Sequence, residues 1–220
     1  MGTVAEHLSE YSTKLGEGVK LIAVSKLQPN KAIEEAYAAG QRSFGENYVQ
    51  ELCDKRELLP TDIEWHFIGH LQSNKVKYIA PFVSYIHGVD SLSLLEKINQ
   101  AAAKHNRQIF CLLQLHVAKE ETKHGLSPDE AIALASDPSI KNMANIILCG
   151  VMGMASFTSD RDLIRKEFKE IKSTFDQLKP LFGPEFSEIS MGMSSDWDLA
   201  LEEGSTMVRI GSAIFGERKK

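Results

Sequence analysis

Short runs of apolar and β-branched residues alternate along this chain with longer segments in which apolar residues recur every three or four positions. The short runs predict strands over 20–26, 43–47, 64–69, 83–90, 108–117, 146–155, 188–193 and 207–211. The segments between them read as amphipathic helices. Asn30 is placed to cap one whose face is Ile33, Ala36 and Tyr37 and which stops at Gly40. A second begins near Asp90-Ser91 and carries Leu94, Leu95, Ile98 and Ala102 at helical spacing. The longest, 160–179, buries a stripe of Leu163, Ile164, Phe168, Ile171, Phe175 and Leu178. Ser195-Asp196-Trp197-Asp198 resembles a capping box for a short helix ending at Gly204.

Eight strands in strict alternation with helices predict a parallel sheet, because parallel neighbours need crossover connections. Eight is also the number that closes a barrel, so the expected fold is a single α/β (β/α)8 barrel of the TIM type. The first strand–helix junction lacks the glycine fingerprint of a dinucleotide site, which argues against an open doubly wound sheet. No repeat or linker divides residues 1–220, and a leading helix within 1–18 is expected to cover the bottom of the barrel.

In such a barrel, functional side chains sit where strands end and helices begin. Lys26 closes the first strand on the same face as Ile22 and Val24. An inward-facing lysine above apolar neighbours loses solvation, which lowers its pKa and suits it to Schiff-base chemistry; a surface lysine at a strand end is the plainer reading. The seventh strand runs into Ser190-Met191-Gly192-Met193-Ser194, and the eighth into Gly211-Ser212. Loops after these two strands form the phosphate site of many barrels. The amides of Gly211 and Ser212 are the preferred anion cradle, with hydroxyls of Ser190, Ser194 or Ser212 as further donors. Arg209 lies opposite Val208 and Ile210, hence inward, and pairs with a carboxylate such as Glu46 or donates to a ligand. Asn47 and His66 end the second and third strands and are further candidates, although His66 reads equally well as a satisfied core side chain.

Composition narrows the partners. Of the 220 residues, 43% are hydrophobic and 25% charged, as in ordinary globular proteins, and the net charge of -5 gives no basic footprint for nucleic acid. No apolar stretch suggests a membrane span or a leader, and three widely spaced cysteines suggest free thiols in the cytoplasm. The seven histidines show no metal-binding spacing, and no exposed apolar stripe argues for more than a monomer.

Several blocks resemble one family: Ala23–Lys26, Phe44–Glu51, Trp65–Lys75, Gly150–Ala155, Ser190–Ser194 and, longest, Gly204–Gly216. They run in order from about residue 20 to 216 and are similar to the pyridoxal phosphate homeostasis proteins. The resemblance implies the N-terminal barrel of alanine racemase and pyridoxal 5'-phosphate (PLP) held as a Schiff base on Lys26. It also implies phosphate contacts from Ser190, Gly211 and Ser212 with Ser194 nearby, and Arg209 facing the pyridine nitrogen. Lys123 falls in a lysine-bearing loop of the family to which no role is assigned. The function implied is PLP and vitamin B6 homeostasis without turnover, with PLP-dependent apo-enzymes as candidate recipients. Two enzymatic readings compete. A racemase needs a second base from another domain, which is not expected so soon after the eighth strand. A Schiff-base aldolase needs an acid–base pair, and no carboxylate falls on the Lys26 strand end.

Overall fold

Strand side chains point alternately to the two faces, and the computed structural model, which describes residues 2–118 and 124–216, shows the use made of each face. The strands are β1 (Lys20–Val24), β2 (Ser43–Glu46), β3 (Glu64–Phe67), β4 (Tyr85–Val89), β5 (Ile109–Gln114), β6 (Ile146–Met152), β7 (Glu188–Ser190) and β8 (Met207–Ile210). All pair in parallel in chain order, and β8 closes on β1 to complete the expected barrel. Leu21, Ala23, Phe44, Trp65, Phe67, Ile86, Val151 and Ile210 turn outward into one apolar layer shared with the helices. A separate inner cluster of Tyr85, Leu112, Cys149, Met152 and Met207, with Phe110, Ile147 and Met154 against it, fills part of the barrel. Burying each large side chain stabilises the fold by about 1.5–3 kcal/mol.

The strand pairing slips between Cys111 and Leu112, where Leu112 stands opposite Gly150 and Cys149 becomes an extra residue. A Cβ on Gly150 would lie 1.8 Å from the Glu188 carbonyl, so only glycine admits this approach of β6 to β7.

The outer ring comprises α1 (Val4–Leu15), α2 (Asn30–Ala38), α3 (Val49–Leu58), α4 (Val76–Ile79), α5 (Leu92–Ala103), α6 (Pro128–Ala135), α7 (Arg161–Phe182), α8 (Trp197–Glu202) and α9 (Ser212–Phe215). Helix α7 buries the expected stripe together with Glu167 and Thr174, while Leu163 stays half-buried. Helix α5 starts from Ser91, whose hydroxyl accepts the Leu94 amide as expected of a cap. None of the described helices is long and apolar enough to cross a membrane.

Helix α1 packs beside α2 and against β1 and α9, and several local expectations about the other elements fail. His7 Nδ1 meets the Ile214 carbonyl at 2.9 Å, and Tyr11 sits edge-on to Trp197 at 5.8 Å, so α1 occupies the outer-ring slot beside β1 and β8. Asn30 is the first residue of α2, and Pro29 precedes it without a side-chain cap. Proline's fixed φ already presets the helix entry. Ser195-Asp196-Trp197-Asp198 forms no capping box; Asp196 turns back to accept the Met193 amide at 2.6 Å. The strands also end one to three residues short of their predicted tops, because the ladder gives way to turns there.

Candidate functional site

The inner face of β1 begins with Lys20, whose ammonium reaches Glu64 at 2.9 Å and lies over the Tyr85 ring. Ile22 and Val24 follow on that face, and both are buried. The strand stops at Val24, so Lys26 sits in the turn just above it, half-buried. Gly211 packs onto the same strand end: a Cβ there would lie 3.3 Å from the Val24 carbonyl. The lysine turn and the Gly211-Ser212 turn are therefore neighbours at the mouth of the barrel.

Glu46 does not meet Arg209. It faces outward toward α3, where Lys55 pairs with it at 2.8 Å and Ser25 donates to it at 2.6 Å. Burial raises the Glu46 pKa, against the pull of Lys55 and Ser25. Arg209 does point inward, 4% exposed, and donates to the Ser190 carbonyl (2.7 Å), the Ser190 hydroxyl (2.6 Å) and the Gly153 carbonyl (3.0 Å). A guanidinium has five N–H donors, so two remain. No carboxylate among the described residues lies in ion-pair range of Arg209. Burial lowers its pKa to about 10, with Asp196 acting the other way, so it stays a cation near neutrality.

Beneath Arg209 runs a hydrogen-bonded row that no sequence motif marked. His87 Nδ1 lies 3.0 Å from the Ser190 hydroxyl, His87 Nε2 lies 2.9 Å from His66 Nδ1, and His66 Nε2 lies 2.6 Å from Glu64. Burial lowers the pKa of His66 and pushes that of His87 well down, which favours neutral rings near pH 7. Burial also pushes the Glu64 carboxyl up, but hydrogen bonds from His66 and Lys20 and the charge of Lys20 outweigh it and bring it to about 2. An ionised Glu64 only accepts, which places the His66 proton on Nε2. His66 Nδ1 then accepts from His87 Nε2–H, and His87 Nδ1 accepts from the Ser190 hydroxyl. The protons have one consistent order, and Ser190 has none left for a ligand.

His66 is thus a satisfied core residue, fully buried and stacked on Tyr85 at 4.4 Å. Ser194 and Ser212 differ from Ser190. Ser194 is half-buried, Ser212 is exposed, and neither hydroxyl has a partner among the described residues. The amides of Gly211 and Ser212 likewise find no acceptor there. Asn47 contributes a buried side-chain oxygen without a hydrogen-bond partner. Sequence alternation could have found His87, which lies two residues from Tyr85 on the inner face; the chemistry of the row depends on pairings across strands.

The structure also gathers His70, Asp90 and His124 at the ends of β3 and β4 and beyond β5, their ligand atoms all within 4.8 Å of one another. The two rings stack at 3.9 Å with planes 14° apart, so their in-plane lone pairs run side by side and do not converge on one ion. This is a stacked pair, not a built metal site. Lys123 lies outside the described residues.

The alanine racemase N-terminal domain matches residues 1–219. Pyridoxal phosphate homeostasis proteins match over most of their lengths: that of Pasteurella multocida is 37% identical, covering 97% of this chain and 92% of its own, and that of Bos taurus is 41% identical, covering 90% and 77%. This chain belongs to the pyridoxal phosphate homeostasis protein family. The structure of PipY from Synechococcus elongatus without PLP superposes with a TM-score of 0.90 at 38% identity, covering 97% of this chain and all of PipY. The PipY structure with PLP bound gives 0.87 at 37%. Alanine racemase from Bartonella henselae, at 18% identity and a TM-score of 0.72, shares the fold over 98% of this chain and 60% of its own.

Proposed function

We propose that this chain binds PLP at the mouth of its barrel through Lys26 and serves PLP and vitamin B6 homeostasis, not turnover of a substrate. The observation that carries this reading is a buried cation, Arg209, with no carboxylate in ion-pair range among the described residues, beside uncommitted donors at Gly211, Ser212 and Ser194. A buried charge of that kind is stable only with compensating acceptors. PLP supplies an aldehyde that reacts with an amine, a pyridine ring and a phosphate dianion.

The residues present fit those three parts. Lys26 stands above Ile22 and Val24 at the end of β1 and provides the amine. The amides of Gly211 and Ser212, with the Ser194 and Ser212 hydroxyls, provide donors to the phosphate. Asn47 offers an unused acceptor. Arg209 is a fixed donor that keeps its proton near neutrality, and Ser190 holds it in place while His66 and His87 hold Ser190. Protons in this row are directed down the barrel, away from the mouth, which supports binding over proton transfer to a substrate. The name shared by the relatives supports the same role, and PLP-dependent apo-enzymes are the natural recipients. Three cysteines, all free, fit a cytoplasmic protein, and we read the chain as a monomer.

The test is direct. Purified protein incubated with PLP is expected to turn yellow and to carry a borohydride-reducible label on Lys26. Lys26→Ala is expected to lose the long-wavelength band. Wild-type protein that takes up no PLP overturns the proposal.

A further inference from the structure

The turn that carries Lys26 is gripped from the outer side of the barrel. After Val24 the chain leaves the sheet, and Leu27 adopts a φ of 60°, a left-handed conformation that a leucine keeps only when its surroundings fix it. Those surroundings are three buried or half-buried ions. Lys55 of α3, 5% exposed, directs its ammonium to the Ser25 carbonyl at 2.7 Å, Glu46 at 2.8 Å and Glu51 at 2.6 Å. Glu46 also accepts the Ser25 hydroxyl at 2.6 Å, and Glu51 accepts the Leu27 amide at 2.6 Å. An ammonium has three N–H groups, and all three are engaged.

Ser25 and Leu27 flank Lys26, so the cluster acts on the backbone immediately before and immediately after the lysine. Buried ion clusters are weak sources of stability, because desolvation offsets their attraction; what they supply is a fixed geometry. The last sheet bond here is that of the Ser25 amide to the Gly45 carbonyl at 3.0 Å, and the turn beyond it is closed by the Gln28 amide on the Ser25 carbonyl at 3.0 Å. The backbone of this turn sets the direction in which the Lys26 side chain leaves the chain.

We propose that Glu46, Lys55 and Glu51 are positioning residues that aim Lys26 into the barrel mouth. The inference rests on Lys26 being the residue that captures PLP. Glu51→Ala is the gentlest probe, because it removes the Leu27 tether and leaves the Glu46–Lys55 pair intact. Two ligands separate aim from general damage: PLP, which reacts with the lysine, and pyridoxine 5'-phosphate, which keeps ring and phosphate but has an alcohol in place of the aldehyde.

Glu51→Ala is expected to weaken PLP binding roughly tenfold, the loss of one charge-assisted hydrogen bond, while pyridoxine 5'-phosphate binds as in wild type. Glu51→Gln keeps an acceptor for the Leu27 amide and is expected to restore PLP binding. Equal loss of both ligands, or no loss of either, overturns the inference. In the ligand-free protein, Glu51→Ala is also expected to raise the rate at which an acid anhydride acylates Lys26 by roughly threefold or more relative to Lys31, since a released lysine meets solvent more freely. An unchanged acylation rate overturns the positioning role even if wild type proves to bind no PLP, an outcome that by itself sinks only the function proposed above.

Discussion

The two sides of the barrel mouth are built on opposite principles. On the β1–β2 side, every N–H of Lys55 and the Ser25 hydroxyl are committed to the cluster and to the backbone around Lys26, while one buried oxygen each of Glu46 and Glu51 has no partner among the described residues. On the β7–β8 side, the amides of Gly211 and Ser212 and the hydroxyls of Ser194 and Ser212 are uncommitted among the described residues, and the buried Arg209 has no carboxylate in ion-pair range there. A closed network fixes where a reactive group points. An open one leaves its donors for something that arrives later. The difference teaches that a covalent anchor has to be held before the ligand comes, whereas an anion cradle is completed by the ligand itself.

The largest effect should come from breaking the closed side. Lys55→Met leaves Glu46 buried without its cation and is expected to destabilise the fold by about 3–5 kcal/mol in urea denaturation. A loss under about 1 kcal/mol would show that the cluster is not electrostatically tight. Next comes Gly192, at the turn after β7, with φ 94° and space for a Cβ only 2.6 Å from the Ala200 Cβ. Gly192→Ala is expected to cost about 2–3 kcal/mol, and a neutral result would mean that the turn can re-form.

Glu64 gives a smaller and pH-dependent effect. Its folded value of about 2 lies below the ordinary 4.5, so on acidification the unfolded chain takes up this proton first. The stability it contributes is complete above 4.5 and is lost as the pH falls toward 2. With a third of the side chain exposed, solvent screening reduces this to about 1–2 kcal/mol. Glu64→Gln is expected to flatten the stability profile across that window, and an unchanged slope there would count against the assignment. The smallest effect belongs to the open side. Ser194→Ala and Ser212→Ala should leave stability within about 0.5 kcal/mol of wild type. Each should still weaken inorganic phosphate binding by roughly threefold or more. Lost stability without lost phosphate binding would erase the contrast between the two sides.

The barrel was legible in the sequence because alternation places eight runs of apolar residues between helical stripes, and packing enforces that pattern at every strand. The inward direction of Arg209 was legible for the same reason: Val208 and Ile210 claim the other face. Strand tops were overrun, since apolar residues such as Met191 continue past the point where the ladder ends. The ions around Lys26 were not legible. Lys55 and Glu51 lie on a helix with little amphipathic contrast, and only the fold brings them under the turn. Carboxylates do gather at that strand end, but from β2 and α3, and on its outer side. The capping box misled because Ser195 and Asp198 have the right spacing, while Asp196 has a nearer donor in the Met193 amide.

The ordered row from Ser190 to Glu64 has an electrical consequence. Each O–H or N–H bond in it points the same way, so the bond dipoles add head to tail. Their negative end is the Ser190 oxygen, which touches Arg209, and their positive end is turned toward the Glu64 carboxylate. A negative charge near the barrel floor is thereby felt by a cation near its mouth through three intervening side chains. Arg209 thus has part of its counter-charge at a distance, delivered through Ser190.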